Sequence, residues 1–255
     1  MQNSSNGKEA VLTLNKVCKN FGGVVAAKDI SFELYPGEVF GLIGPNGAGK
    51  TTLINLITGI YKVDGGTIVL NGHDITRAPA HTRARRGITR TFQHPHLLNR
   101  CDIETNIYLG VDLARKNKML NSHDHKKLLD ELLEVAGLRL NMRDGIDKLA
   151  YGQQKLLEVV RAILTRPSVL LLDEPAAGLN QREMDHIVAL VDIALKMNSA
   201  VLMIEHRMDL VMSICNRITV LNFGNQIASG KPAEIQDNPV VIEAYLGRKR
   251  GAKNS

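Results

Sequence analysis

A chain of 255 residues with 44% hydrophobic and 23% charged residues is long enough for one large α/β domain and has the make-up of a globular protein. It contains no run of eighteen apolar residues to span a bilayer, and its polar start, "MQNSSNGKEA", lacks the apolar centre of a secretory signal. The formal charge of +6 invites a nucleic-acid partner, but Arg248, Lys249, Arg250 and Lys253 carry four of those charges, and aromatic residues for base stacking are only 4%.

In chain order, "VLTLNKVCKNFGGVVAAKDISFEL" alternates apolar and polar residues around Gly22–Gly23 and predicts two antiparallel strands. After the Pro36–Gly37 turn, "EVFGLIG" is a short apolar strand and "KTTLINLITGI" a helix. Residues 63–75 predict a hairpin, with Gly65–Gly66 and Asn71–Gly72 as turn signals. Arg77, Arg83, Arg85, Arg86 and Arg90 form a basic cluster before the next strand, read either as a solvated face or as a partner-binding rim.

From about residue 93 to 165 the pattern is helical. Ser122 is placed to cap "HDHKKLLDELLEVAG", and "GQQKLLEVVRAILTRP" repeats the apolar stripe until Pro167. The solid apolar runs "VLLLDEP" and "AVLMIEH" then suit strands buried on both faces, with "EMDHIVALVDIALKM" as the crossover helix between them. "RITVLNFGNQIASG" closes the pattern as a hairpin-like pair, and the ending "GRKRGAKNS" is a basic tail suited to solvent or to anionic lipid. The expected fold is α/β: a nucleotide-type core of residues 10–92 and 166–247, a helical insertion over 93–165, an antiparallel layer from the first strands, and a tail over 248–255.

The strongest motif is "GPNGAGKT", with a strand before it and a helix after it. Gly44, Gly47 and Gly49 let the backbone curl around phosphate oxygens, and the helix beginning near Lys50 aims its positive end at the same anion. Lys50 offers a point charge to the outer phosphates, and the Thr51 hydroxyl can ligate Mg²⁺. Asp173 and Glu174 end a buried strand, where one carboxylate can hold the metal's hydration shell and the other polarise a water. Without the phosphate loop they would read as an ordinary strand-to-turn boundary. His206 ends the next strand, within reach of a terminal phosphate or simply solvated. His94–Pro95–His96 and His123–Asp124–His125 have H-x-H spacing without nearby cysteines, which favours surface or interface roles over zinc. Cys18, Cys101 and Cys215 lack paired spacing and read as reduced thiols of a cytosolic protein.

Taken together, "GPNGAGKT", "RTFQ", "LAYGQQ", "VLLLDEP" and "MIEH", in this order, resemble the ATP-binding cassette family over about residues 10–247. The resemblance implies a P-loop NTPase (RecA-like) core with an inserted helical subdomain, and ATP and Mg²⁺ as cofactors. It also implies nucleotide contacts from Gly44, Pro45, Asn46, Gly47, Ala48, Gly49, Lys50, Thr51 and Thr52, with Phe21 in the place of the adenine-stacking aromatic; ordinary strand packing is the other reading of Phe21. It assigns Thr51, Gln93 and Asp173 to the metal, and Lys50, Gln93, Glu174 and His206 to catalysis. "LAYGQQ" falls where the family carries L-S-G-G-Q, so Ala150, Tyr151, Gly152 and Gln153 are expected to cap ATP held by a second subunit in a head-to-tail dimer. Ala150 replaces the signature serine, at about 0.5–1.5 kcal/mol for the lost hydroxyl. Tyr151 replaces a glycine, and Asn180 an aspartate.

"RTFQHPHLL", "LAYGQQ", "DEPAAGLN" and "AYLG" look most like the ATPase subunits of branched-chain amino-acid importers, with urea importers as near relatives. The implied partners are a second, homologous cassette (a homodimer being the alternative), two membrane permease subunits and an extracytoplasmic solute-binding protein, with no nucleic acid. The implied location is the cytoplasmic face of a bacterial inner membrane. A cassette ATPase of nucleic acid or ribosomes would carry two fused cassettes or a long coiled coil, and an ATP-gated scaffold would not need both Glu174 and His206.

Overall fold

The computed structural model describes residues 9–116 and 122–246. The Ser122 side chain and the basic tail therefore lie outside the described residues. The elements are β1 (Leu12–Phe21), β2 (Val24–Leu34), β3 (Val39–Ile43), α1 (Lys50–Thr58), β4 (Gly65–Leu70), β5 (His73–Asp74), α2 (Ala80–Arg85) and β6 (Ile88–Arg90). Then come α3 (Ile103–Lys116), α4 (Ser122–Val135), α5 (Tyr151–Leu164), β7 (Val169–Asp173), α6 (Gln181–Lys196), β8 (Ala200–Ile204) and α7 (Met208–Ile214). The chain ends with β9 (Arg217–Asn222), β10 (Asn225–Gly230), α8 (Pro232–Gln236) and α9 (Pro239–Leu246).

Two sheets form. One is antiparallel, in the order β2-β1-β4-β5. The other runs β10-β9-β3-β8-β7-β6, parallel except for the β9–β10 hairpin. Every residue of β3, β7 and β8 is buried, as their apolar runs require, and Asp173 at the end of β7 is buried with them. The period of two divides those residues between two cores. Phe40, Leu42, Leu171 and Leu202 face α1 and the antiparallel layer, while Val39, Leu170, Leu172, Val201 and Met203 face α5 and α6.

The turn at Gly22–Gly23 joins β1 to β2 as expected. The turn signals at 63–75 separate. Asn71–Gly72 is the hairpin turn between β4 and β5, whereas Gly65–Gly66 opens β4 and pairs onto β1. A Cβ at Gly66 would lie 2.2 Å from the Lys16 carbonyl oxygen, so glycine is needed there for close packing of strands and not for reversal.

Two arginines of the basic cluster point inward. Arg83, only 2% exposed, donates to the carbonyls of Leu56 and Ile57, the last turn of α1, and to those of Thr76 and Ala78. Arg90 reaches Asp173. These side chains satisfy buried carbonyls and a carboxylate, which neither the solvated-face nor the rim reading foresaw.

Parallel strands bring their carboxyl ends to one edge, and that edge holds the candidate site. β3 delivers the phosphate loop there, β7 delivers Asp173 and Glu174, and β8 delivers His206.

Candidate active site

The loop between β3 and α1 is shaped by close approach. A Cβ on Gly44 would sit 2.2 Å from the Leu221 carbonyl oxygen, and one on Gly49 would sit 2.3 Å from that of Ala26. Both residues have positive φ, 150° and 104°. The loop is pinned from outside by the Gly224 amide, which donates to the Ala48 carbonyl at 2.9 Å. Lys50 folds back, its Nζ donating to the carbonyls of Gly44 at 2.7 Å and Pro45 at 3.1 Å. Burial lowers its pKa, while the charges of Glu174 and Asp173 oppose that shift.

A cleft of about 350 Å³ is lined by the loop from Asn46 to Thr52 together with Phe21, Glu174 and His206. Phe21 is 43% exposed and meets Tyr61 edge-on at 5.2 Å. It therefore belongs to the cleft wall and not to the strand core. Three residues singled out from sequence meet at Glu174. Glu174 Oε2 accepts from Gln93 Nε2 at 2.8 Å, and Glu174 Oε1 lies 2.9 Å from His206 Nε2. Glu174 has φ 48°, a left-handed backbone that costs on the order of 1 kcal/mol or more for a residue with a side chain. Its amide donates to the Ile204 carbonyl at 2.9 Å and its own carbonyl accepts from Lys155 Nζ at 2.6 Å.

Asp173 is buried, and its Oδ2 takes a 2.8 Å ion pair from Arg90, which also donates to Asn55 of α1 at 2.6 Å. Glu205 holds His206 in place. Its Oε2 accepts the His206 amide at 3.1 Å and its Oε1 the Ala176 amide at 2.8 Å. Arg90, Lys155 and Glu205 were missed as site residues because their partners are backbone groups or distant side chains. The oxygens of Thr51, Asp173 and Gln93 are the hard donors that Mg²⁺ prefers. Among the described residues no group of three His, Cys, Asp or Glu could hold a metal.

The loop at Ala150–Gln153 starts α5. Ala150 is extended and has no side-chain cap; Gln153 Oε1 accepts the Ala150 amide at 3.0 Å. Gly152 is buried because a Cβ there would lie 2.0 Å from Glu183 Oε1. Glu183 is itself fixed by Asn180, whose Oδ1 accepts the Glu183 amide while Glu183 Oε2 accepts the Asn180 amide. Asn180 is thus the N-cap of α6, a role that asparagine fills as well as aspartate. Tyr151 lies beside Gly178, and its hydroxyl donates to the Gln93 carbonyl at 3.4 Å. None of Ala150–Gln153 lines the cleft of its own chain.

Comparison with known proteins identifies the family. A family model described as ABC transporter matches residues 27–177, and a second, described as branched-chain amino acid ATP-binding cassette transporter, matches residues 226–250. The chain is 40% identical to the high-affinity branched-chain amino acid transport ATP-binding protein LivG of Escherichia coli, over 94% of this chain and 98% of that protein. It is 38% identical to the corresponding protein BraF of Pseudomonas aeruginosa, over 93% and 98%. A crystal structure of the ADP conformation of an ATP-binding cassette of an ABC transporter superimposes with a TM-score of 0.81 at 30% identity, covering 94% of this chain and 99% of that one. The chain belongs to the ATP-binding cassette transporter family and is an ATP-hydrolysing subunit.

Proposed function

We propose that this chain energises an importer of branched-chain amino acids, working at the cytoplasmic face of a bacterial inner membrane through two permease subunits and an extracytoplasmic solute-binding protein. The solute class is carried by the match of residues 226–250 to the branched-chain family, supported by the names of LivG and BraF. No helix among the described residues is long and apolar enough to cross a membrane, so attachment falls to the permeases. We assign residues 10–92 and 166–247 to the ATP-binding core and 93–165 to the inserted helical unit.

In the site, the loop from Gly44 to Thr52 cradles the phosphates with backbone amides and the start of α1, and Lys50 leaves its two carbonyl partners for phosphate oxygens. Phe21 packs against the base. Thr51, Asp173 and Gln93 would hold Mg²⁺, which supplies charge neutralisation at the phosphates when bound. Glu174, held between Gln93 and His206, orients or deprotonates the attacking water, and His206 steadies the terminal phosphate. A second cassette completes the pocket with its own signature loop, while Ala150–Gln153 of this chain serve that partner's nucleotide. The free amides at the start of α5 suit an anion.

The observation that carries the catalytic reading is the bracketing of Glu174 by Gln93 and His206 at the edge of the phosphate cleft. Glu174→Gln is expected to lower ATP hydrolysis by the assembled transporter about 10²–10⁴-fold while leaving nucleotide binding intact. Full activity in that variant would refute the assignment. Uptake of labelled leucine, isoleucine and valine by vesicles carrying the complete system tests the solute class, and uptake of urea alone would redirect it.

A further inference from the structure

Helix α5 reaches the backbone of Glu174 by a contact that serving a partner's nucleotide does not require. Tyr151, Lys155 and Glu158 stand at i, i+4 and i+7 and so share one helical face. That face grips the segment around Gln93. Tyr151 donates to the Gln93 carbonyl, and Glu158 accepts the amides of His96 at 3.0 Å and Phe92 at 3.4 Å. One turn on, Arg161 donates to the His96 carbonyl at 2.7 Å. Between these contacts Lys155, 2% exposed, donates from Nζ to the Glu174 carbonyl at 2.6 Å. Burial lowers its pKa, against the charges of Glu158, Glu205, Glu174 and Asp173.

Burying an ammonium costs free energy that a leucine at the same place would not. The other buried side chains of the helix are apolar, Leu156, Leu157, Val160 and Ile163 among them, except Glu158, which accepts the two amides named above. What the ammonium supplies is a clamp on one peptide group, that of the left-handed Glu174. With the amide of Glu174 held by Ile204 and its carbonyl held by Lys155, the backbone is fixed on both sides and the carboxylate is aimed at Gln93 and His206.

We propose that Lys155 is a positioning residue for ATP hydrolysis: it anchors the strained backbone of Glu174 to the signature helix, so the aim of the carboxylate follows the helix whose first residues serve the partner's nucleotide. This rests on the reading of Glu174 as the base.

The test is steady-state hydrolysis by the assembled transporter carrying Lys155→Met, which keeps the aliphatic stem, beside Lys155→Arg, which keeps a donor. Lys155→Met is expected to lower kcat at least about tenfold with KM for ATP within about twofold, since misplacement of a reacting group costs rate and not ground-state binding. Lys155→Arg is expected to retain more of kcat than Lys155→Met. In a Glu174→Gln background Lys155→Met is expected to lower the residual rate no further, because nothing remains to be aimed. A kcat unchanged by Lys155→Met, equal losses in the Met and Arg variants, or a loss that multiplies in full onto Glu174→Gln overturns the positioning role. Full activity of Glu174→Gln alone overturns the assignment of the base instead. Should Lys155→Met fail to fold, Lys155→Leu, which also lacks a donor, is judged by the same split between kcat and KM.

Discussion

The phosphate loop and the loop at Ala150–Gln153 both place glycine beside a helix start, but different neighbours make glycine necessary in each. At Gly44 and Gly49 the opposing atoms are backbone carbonyls, of Leu221 and Ala26, which cannot rotate away. At Gly152 the opposing atoms belong to the side chain of Glu183, which can. The first loop is therefore held by rigid main chain and has one shape. The second is held by a capping carboxylate, a tyrosine ring and long side chains, and its position follows α5 and α6. A loop that must fit phosphates closely benefits from the first kind of support. On the proposed reading, the loop at Ala150–Gln153 meets and leaves a partner, and such a loop benefits from the second.

The sharpest way to break this contrast is at Gly49. Gly49→Ala adds a backbone clash to a left-handed conformation, and is expected to cost about 3 kcal/mol in denaturant unfolding and to abolish ATP binding. Gly47→Ala, with nothing within 4 Å of the added carbon, carries only its backbone penalty of about 1 kcal/mol. Equal losses in the two would show that close approach does not shape the loop. Gly152→Ala should displace Glu183 and cost about 1 kcal/mol, the worth of a cap. Adding Glu183→Ala should then cost almost nothing more, and fully additive losses would mean that the two residues act separately. The smallest effect is expected for Tyr151→Phe. Its half-exposed hydroxyl makes one long hydrogen bond to the Gln93 carbonyl, so a change of no more than about 0.5 kcal/mol is expected, with kcat within about twofold of wild type.

The phosphate loop, the two strand-end carboxylates and the buried parallel strands were all legible in the chain, because each rests on local geometry. Glycine spacing and a strand-to-helix switch declare the loop. Apolar runs of four or five residues declare β3, β7 and β8. The basic cluster shows the limit. Arg83 and Arg85 look alike in sequence, yet Arg83 is buried against the end of α1, and nothing in its local sequence announces those four carbonyl partners. Gly65–Gly66 looked like a turn because glycine pairs usually are. Here the demand came from the neighbouring strand β1.

By itself, then, the sequence determined that β1 pairs with β2 and β9 with β10, which helix start follows a glycine-rich loop and which acids stand at a strand end, since these follow from periodicity and backbone conformation within a few residues. Tertiary structure alone decided that Arg90 neutralises Asp173, that Glu183 claims the space at Gly152, and that Lys155 grips the peptide of Glu174. Those contacts join residues 19 to 83 positions apart, and only burial among particular neighbours selects them from the many polar pairs the chain offers.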